Sequence, residues 1–425
     1  MINVIDLLKE NKEVSNFKVN RLNTETYELF FVHDNLETVR ATETKQTSVT
    51  VYVNHKKFTG DYTFTQEVND SKEVLIDKIN NAISNAMLIN NKAYTLPIDD
   101  TTDATIESNF TDYSYKDLAT KIYNVLKNCV AKSKAKLNAT EIFLYKKIRE
   151  VENSQGLKKK ETSYECMIET IPTYDISKTK SVELYECFSF SNFDEKNIET
   201  EIMQSLKDVT SRARAKKPDY KINCPVLLRA KELNEIVRNI TNELNYSSLY
   251  SNVNLYNKGQ NIQDGALYDT FDIKALGQIE GATNSRLFDQ DGVSLDSQKL
   301  VTKGVIKNFY GSNQYAQYVH KKATGNLPLL EVKKGSYSER TLKSEPYLEC
   351  VSFSGLQVDI ASDYIGGEVR LANYFDGNKV HPVTGISISA KFSDVLKTLK
   401  LSKKIVVKED YKGPNLALLS NFNIF

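Results

Sequence analysis

Four short stretches in the second half of the chain decide how its backbone is routed. Residues 286–293 read RLFDQDGV, residues 300–309 read LVTKGVIKNF, residues 315–318 read YAQY and residues 323–326 read ATGN. Apolar runs separated by glycine-containing turns are typical of short strands with tight connections. The pattern predicts a strand, a tight turn, a hairpin and a polar Gly-Asn corner, and it indicates no particular reaction.

A calcium loop is the first chemical alternative for the run from Asp289 to Gly292. Its glycine stands at the fourth position instead of the sixth, and no Glu closes a twelve-residue loop. We therefore interpret the run as a turn.

Glycine divides the chain into two parts. Only Gly60 and Gly156 occur before position 259, whereas fifteen glycines follow between Gly259 and Gly413. Glycine supplies the positive-φ positions of sharp turns and bulges, so the second part is predicted to be rich in sharply turned strands. We expect an α+β protein with an N-terminal α+β domain at 1–215 and a C-terminal domain at 216–425 dominated by a large antiparallel β-sheet structure.

The first part alternates polar and apolar residues over 14–65, as strands do. Asp70 and Glu73 have the spacing of a capping box at the start of a helix. An order of strands followed by a helix occurs twice, at 14–91 and 139–215, which suggests a weak internal repeat. Helices are predicted from about Lys72, at Tyr115 to Lys136, at Glu195 to Ala215 and, in the second part, near Ser393 to Leu401.

Composition excludes several classes of protein. The 425 residues carry 56 Lys and Arg against 55 Asp and Glu, a formal net charge of +1, which lacks the basic excess of a dedicated nucleic-acid binder. No window approaches the run of about 18 apolar residues that spans a membrane, and the first ten residues lack a signal-peptide layout. Five widely spaced cysteines form neither a disulfide framework nor a zinc motif. We expect a cytoplasmic protein that binds neither nucleic acid nor membrane.

Common catalytic motifs are absent from the sequence. No two of the four histidines have the spacing of a zinc-binding helix, and neither a Gly-x-Ser-x-Gly elbow nor a phosphate-binding glycine loop occurs. Folding could still bring His320, His381 and Cys350 together as unrecognised metal ligands. That arrangement remains one hypothesis for a metal site in this chain.

The block at 286–326 resembles the TldD/PmbA family of peptidases. The family pattern is matched in order and spacing over some forty residues by Phe288, Asp289, Asp291, Gly292, Val293, Gly304 to Phe309, Tyr315-Ala316 and Thr324-Gly325-Asn326. Residues 222–256 look like the strand and helix that open the family's C-terminal domain, and residues 346–396 look like its terminal sheet. Residues 230–238 depart from the pattern, since family peptidases carry a His-Glu-x-x-x-His helix there and this chain has no histidine.

The resemblance implies the metal-free TldE (PmbA) branch, in which a TldD-like partner holds zinc. The chain would then be a non-catalytic subunit of a cytoplasmic metallopeptidase that degrades or matures unfolded or leader peptides, with no catalytic or metal-binding residue of its own. The alternative is a homodimeric peptide-binding or assembly protein without proteolytic activity. The residues expected at the peptide cleft or the dimer seam, which equally fit a purely structural role, are Arg286, Phe288, Asp289, Gly292, Gly304, Asn308, Gly325 and Asn326.

Overall fold

The computed structural model describes residues 3–98 and 100–425. Within them the strands form three sheets, of nine, eight and six strands. The nine-stranded sheet is built from residues 16–190, and the other two sheets are built from residues 226–424. Helices and largely antiparallel sheets occur together, which confirms the predicted α+β class.

The first sheet has two pairs of very long strands at its centre. Its strands are β1 (Asn16–Val32), β2 (Asn35–His55), β3 (Phe58–Gln66), β4 (Asn91–Lys92), β5 (Thr101–Thr105), β6 (Lys136–Asn153), β7 (Lys158–Ser177), β8 (Lys180–Glu183) and β9 (Glu186–Phe190). Their order is β4-β3-β2-β1-β6-β7-β5, with β8 and β9 also paired to β7. Four helices accompany them: α1 (Val4–Glu10), α2 (Lys72–Ala86), α3 (Tyr115–Ala131) and α4 (Glu195–Arg214).

One face of this sheet is apolar and carries the helices. Alternate residues of a strand point to the same face, and Val49 and Val51 of β2 pack in one cluster with Leu75 and Ile79 of α2. A second cluster joins Ile142 of β6 to α3 and α4. Burial of these alternating apolar residues is what holds the first domain together.

The start of α2 at Lys72 is as predicted, but its predicted cap and two other predicted helix ends are wrong. The N-cap of α2 is Ser71, whose Oγ accepts a hydrogen bond from the Val74 amide at 3.3 Å, instead of a box built on Asp70. Asp70 pairs with Lys78 at 2.7 Å. Helix α3 ends at Ala131 because the chain turns there to begin β6 at Lys136, and the last predicted helix covers only Phe392–Leu396.

The C-terminal strands form two smaller sheets. Strands of the chain's second part are β10 (Val226–Arg229), β11 (Ile273–Leu276), β12 (Ser297–Thr302), β13 (Val305–Ile306), β14 (Leu329–Val332), β15 (Tyr347–Asp359), β16 (Tyr364–Phe375), β17 (Val380–Val383), β18 (Ile386–Lys391), β19 (Lys400–Leu401), β20 (Ile405–Val407), β21 (Tyr411–Pro414), β22 (Leu416–Leu419) and β23 (Asn423–Ile424). The orders are β19-β22-β10-β15-β16-β18-β23, with β17 on β16, and β13-β12-β11-β14-β21-β20. Pairing is antiparallel except between β10 and β15 and between β14 and β21.

A central helix joins the two C-terminal sheets. The helices of this part are α5 (Ala230–Asn242), α6 (Tyr246–Tyr250), α7 (Asn313–Tyr318), α8 (Glu339–Leu342) and α9 (Phe392–Leu396). Leu233, Ile236 and Ile240 of α5 are fully buried in one core that also contains residues of both sheets. Because α5 contacts strands of both sheets, its inner face is committed to packing.

Candidate functional site

An open groove of about 880 Å³ lies between the second face of the first sheet and two loops of the C-terminal part. This volume falls within the range of ligand-binding clefts. The strands contribute residues such as Asn20, Leu22, Ser48 and Arg149 to its lining, and the loops contribute Arg286, Phe288, Asp289, Gln290, Leu295, Asn326 and Pro328. The groove therefore brings together residues more than 100 positions apart in the sequence.

The face of the sheet that lines the groove is polar, in contrast to the helix-bearing face. The register pairs Lys18 with Asn153, Leu22 with Arg149 and Arg149 with Glu161, so alternation places Lys18, Arg149 and Glu161 on one face. Lys18, Lys159 and Glu161 are 8%, 1% and 0% exposed. Charges buried this deeply need partners, because desolvation of an unpaired charge is costly.

Residues 286–294, which we call the docking segment, supply a partner to each of these three side chains, and Lys159 also forms an ion pair with Asp100. The Lys18 ammonium lies 2.5 Å from an oxygen of Asp291, the Lys159 ammonium donates to the Ser294 hydroxyl at 2.5 Å, and Glu161 accepts from the Leu287 amide at 2.7 Å. Phe288 packs with Val151 and Leu157 of the sheet side. The docking segment therefore attaches the C-terminal part to the sheet and forms a wall of the groove.

Asp289 holds the docking segment in shape. One carboxylate oxygen accepts hydrogen bonds from the amides of Asp291 and Val293, at 2.9 and 3.0 Å, and the other accepts from the Asn326 amide at 3.2 Å. Burial raises the pKa of this carboxyl, and the nearby Asp291 raises it further. These bonds tie the predicted turn to the predicted Gly-Asn corner.

Two glycines allow this arrangement. Gly292 has φ +82°, and a methyl group there would approach a methyl carbon of Leu157 to 2.6 Å. Gly325 has φ +71°, and a methyl group there would lie 2.3 Å from Leu295 and 3.2 Å from an Asp289 oxygen. Both positions require the left-handed backbone that glycine adopts most readily.

Two of the eight predicted site residues lie outside the groove. Gly304 donates its amide to Phe271, and its φ of +74° places it against Asn261 and Gln263. Asn308 is half-buried and donates to the carbonyl of Lys299 at 3.0 Å. Arg286, Phe288, Asp289 and Asn326 line the groove, and Gly292 and Gly325 lie directly behind its wall.

The groove lies beside a free strand edge. Strand β2 pairs with β1 along its length, but β3 covers only Thr47 to His55. Residues 35–46 of β2 are exposed throughout, and no other strand of the described chain pairs with that edge. Lys45, Gln46 and Thr47 line the groove at the point where β3 ends. Unpaired main-chain groups therefore lead into the groove.

Sequence reasoning missed the sheet side of the groove. Charges at alternate positions, as in Lys159 and Glu161, were the available signal, because a strand rarely buries charges without a partner. Nothing local indicates that the partner lies in residues 286–294.

Helix α5 does not offer a set of zinc ligands. It has no histidine, and Asn234 and Arg238 both donate to the carboxylate of Asp410, at 2.7 and 2.6 Å. Its Glu232 is buried, and burial raises the pKa of that carboxyl to about 7. Catalytic zinc sites use three protein ligands, commonly with histidine among them. The side chains of this helix do not fit that requirement.

The hypothesis of a site built from His320, His381 and Cys350 is wrong. Cys350 is fully buried in the C-terminal core, whereas His381 pairs with Asp376 at 2.6 Å. Across residues 3–98 and 100–425, no three His, Cys, Asp or Glu side chains are grouped closely enough to hold a metal ion. Folding does not bring these three residues together.

The C-terminal sheets around α5 are those of a metallopeptidase-related domain. Residues 221–424 match the model of the PmbA/TldA metallopeptidase C-terminal domain. This C-terminal domain therefore belongs to the TldD/PmbA family. No curated protein matches the chain in sequence.

Three solved structures share the whole fold. TldE from Thermococcus kodakarensis has a TM-score of 0.78 and 12% identity, and the match covers 99% of both chains. A candidate modulator of DNA gyrase from Bacteroides thetaiotaomicron also has a TM-score of 0.78 at 12% identity, covering 99% of this chain and 97% of that one. A Thermotoga maritima protein with a similar description has a TM-score of 0.76 and 16% identity, and the match covers 99% of this chain and 98% of that one. At such identities these likenesses show the fold alone.

Among the residues that the structure describes, no helix combines the length and apolar character needed to cross a bilayer.

Proposed function

We propose that this chain is the zinc-free, non-catalytic subunit of a TldD/TldE-type cytoplasmic metallopeptidase that degrades or matures unfolded or leader peptides. Membership of a metallopeptidase-related family supports the general reaction. The chemistry of α5 supports the division of labour, because a metallopeptidase needs a metal-activated water and this helix has no histidine; its polar side chains are amides, carboxylates, an ammonium, a guanidinium and a hydroxyl. Zinc would be supplied by a TldD-like partner subunit.

The groove beside the free edge of β2 is the observation that carries the proposal. An extended peptide can add itself to an exposed strand edge through main-chain hydrogen bonds, which are made with little regard to sequence. The exposed edge at 35–46 ends among the groove residues Lys45 and Gln46. An unfolded peptide bound along this edge would therefore run into the groove.

The same edge favours a second candidate function. Two copies of the chain could pair their β2 edges, since an open edge is a template for another strand. A homodimer formed in this way would bind or assemble peptides without cutting them.

Native mass spectrometry of the chain recovered gently from its own cells tests the proposal. We expect a complex with a second, different subunit that carries one zinc ion. A metal-free homodimer would overturn the peptidase assignment and favour the second candidate.

A further inference from the structure

Two arginines share a single buried carboxylate at the floor of the groove. Arg149 on β6 lies opposite Glu161 on β7 in the sheet register, and Arg286 reaches the same carboxylate from the docking segment. The Nε atoms of both arginines lie 3.7 Å from the same oxygen of Glu161. Glu161 is completely buried, whereas both arginines line the groove.

The contacts within this group leave hydrogen-bonding capacity unused. At 3.7 Å neither Nε is within hydrogen-bonding distance of Glu161. The Nε of Arg149 and that oxygen of Glu161 are both buried without a hydrogen-bond partner in the described chain. The other oxygen of Glu161 accepts from the Leu287 amide, and Arg286 donates to the carbonyl of Ser285 at 2.6 Å. The two arginines are therefore held in place while some of their hydrogen-bond donors remain available to a ligand.

The local charge does not balance. Two guanidinium groups face one carboxylate, and burial raises the pKa of Glu161. Burial lowers the pKa of Arg286 to about 10, and the neighbouring Arg149 lowers it further. Glu165 pairs with Lys147 and Asp289 accepts three amides. Glu67 and Glu150 also line the groove, but neither forms an ion pair with Arg149 or Arg286 in the described chain. This group of two arginines and one carboxylate therefore carries a surplus positive charge, and both arginines line the groove.

We propose that Arg149 and Arg286 form a carboxylate-binding site for a peptide that occupies the groove. This inference rests on the proposed function, and it adds a substrate preference to it. A guanidinium is a planar fork whose donors match the two oxygens of a carboxylate. Either the C-terminal carboxylate of a peptide or an Asp or Glu side chain supplies that chemistry. Glu161 positions the two arginines and does not contact the ligand.

Binding of four matched peptides tests the site. The full chain, in the assembly that it forms in its own cells, is titrated by fluorescence anisotropy with one unfolded peptide that carries a neutral dye. The peptide has a free carboxyl terminus, a C-terminal amide, an amide with one internal Glu, or an amide with Gln at that position. We expect at least one carboxylate-bearing peptide to bind about tenfold more tightly than the two peptides without a carboxylate. Tighter binding of the peptide with a free carboxyl terminus would identify the terminal carboxylate as the ligand, and tighter binding of the peptide with the internal Glu would identify an acidic side chain.

Variants of the arginines identify the residues responsible. Arg286→Gln should abolish the preference for carboxylate, so that the peptides with and without a carboxylate bind with equal affinity. Arg149→Lys keeps the charge and removes the fork, so it should reduce the preference only in part and should fold even if larger changes do not. Lys45→Gln is the matched control, because Lys45 lines the same groove but pairs with Glu43, and it should keep the preference.

Three other results would contradict either the carboxylate site or the proposed function. Equal affinity of the wild-type protein for all four peptides would overturn the carboxylate site while leaving peptide binding intact. Loss of the preference in Lys45→Gln as much as in Arg286→Gln would assign it to general charge instead of this pair. Failure of every peptide to bind would overturn the proposed function together with the inference.

Discussion

The two faces of the first sheet are built from the same strands but differ in their side chains and in what packs against them. On one face, apolar residues such as Ile142 and Val51 pack against α2, α3 and α4, all of which are nearby in sequence. On the other face, Lys18, Lys159 and Glu161 are buried against the docking segment at 286–294. The apolar face therefore stabilises the domain, whereas the polar face fixes where the docking segment attaches.

Ile142→Ala tests the apolar face and should have the largest effect. Ile142 is fully buried, and removing such a side chain leaves a cavity that costs about 2–5 kcal/mol. Urea unfolding followed by circular dichroism measures the loss. The control is Phe143→Ala on the next residue of β6, which points to the opposite face and is half-buried. An equal loss from both variants would remove the distinction between the faces.

Glu232→Gln tests a buried carboxyl group that lacks a partner for one of its oxygens, in contrast to the buried charges of the first sheet, which all have partners. Oε2 of Glu232 has no hydrogen-bond partner in the described chain, and burial raises its pKa to about 7. Because the folded pKa exceeds the unfolded value, stability is present below about pH 4.5 and is lost as the pH rises towards 7. The penalty above pH 7 is about 3 kcal/mol.

The amide variant should escape that penalty. Its stability relative to the wild-type protein should therefore increase between pH 5 and pH 8, as measured by urea midpoints. The control is Glu349→Gln, since Arg229 and Lys343 outweigh the effect of burial and lower the pKa of Glu349. That variant should lose stability, and a parallel pH profile for the two variants would refute the assignment.

Gly325→Ala tests the wall of the groove. The new methyl group would meet Leu295 at 2.3 Å and force a left-handed backbone, which together should cost about 1–3 kcal/mol. Gly259→Ala provides the matched control, because Gly259 has φ +89° with nothing within 4 Å of the added carbon. The difference in melting temperature between the two variants measures crowding alone. Equal melting temperatures for the two variants would show that the Leu295 side chain moves aside without a loss of stability.

Prolines on the free edge of β2 should change stability least while weakening peptide binding. Neighbouring residues of a strand direct their amides to opposite sides, so Thr42→Pro and Glu43→Pro differ in which side loses a donor. One variant should lose a bond to β1 and melt at a lower temperature. The other should keep its melting temperature and bind unfolded peptides about tenfold more weakly by anisotropy. Full binding by both variants would exclude this edge as the peptide site.

Much of the fold was predictable because its signals are local. Helix α4 was predicted to run from Glu195 to Ala215 and runs from Glu195 to Arg214, since an apolar stripe and a capping Asp194 define it. Helix ends were predicted less well where competing caps lie side by side. Ser71 caps α2 instead of Asp70 because its hydroxyl reaches the Val74 amide.

The candidate site was predictable only on its C-terminal side. The sequence pattern at 286–326 led to Arg286, Asp289 and Asn326, whereas Arg149 and Glu161 gave no comparable signal. The contact between Lys18 and Asp291 spans 273 positions, and no local periodicity encodes a partner at that distance. Gly304 and Asn308 belong to the same pattern, yet their backbone role places them away from the groove.

The polar face also has a consequence for the order of events during synthesis. The last strand of the first sheet ends at Phe190, and Phe288 follows about 100 residues later. At about 5–20 residues per second the ribosome needs roughly 5–20 s to supply that interval. During this time the uncovered face presents the charged side chains of Lys159 and Glu161 to water, beside the small apolar patch of Val151 and Leu157 that Phe288 later covers. A nascent domain that waits in this state stays hydrated and is a poor template for aggregation.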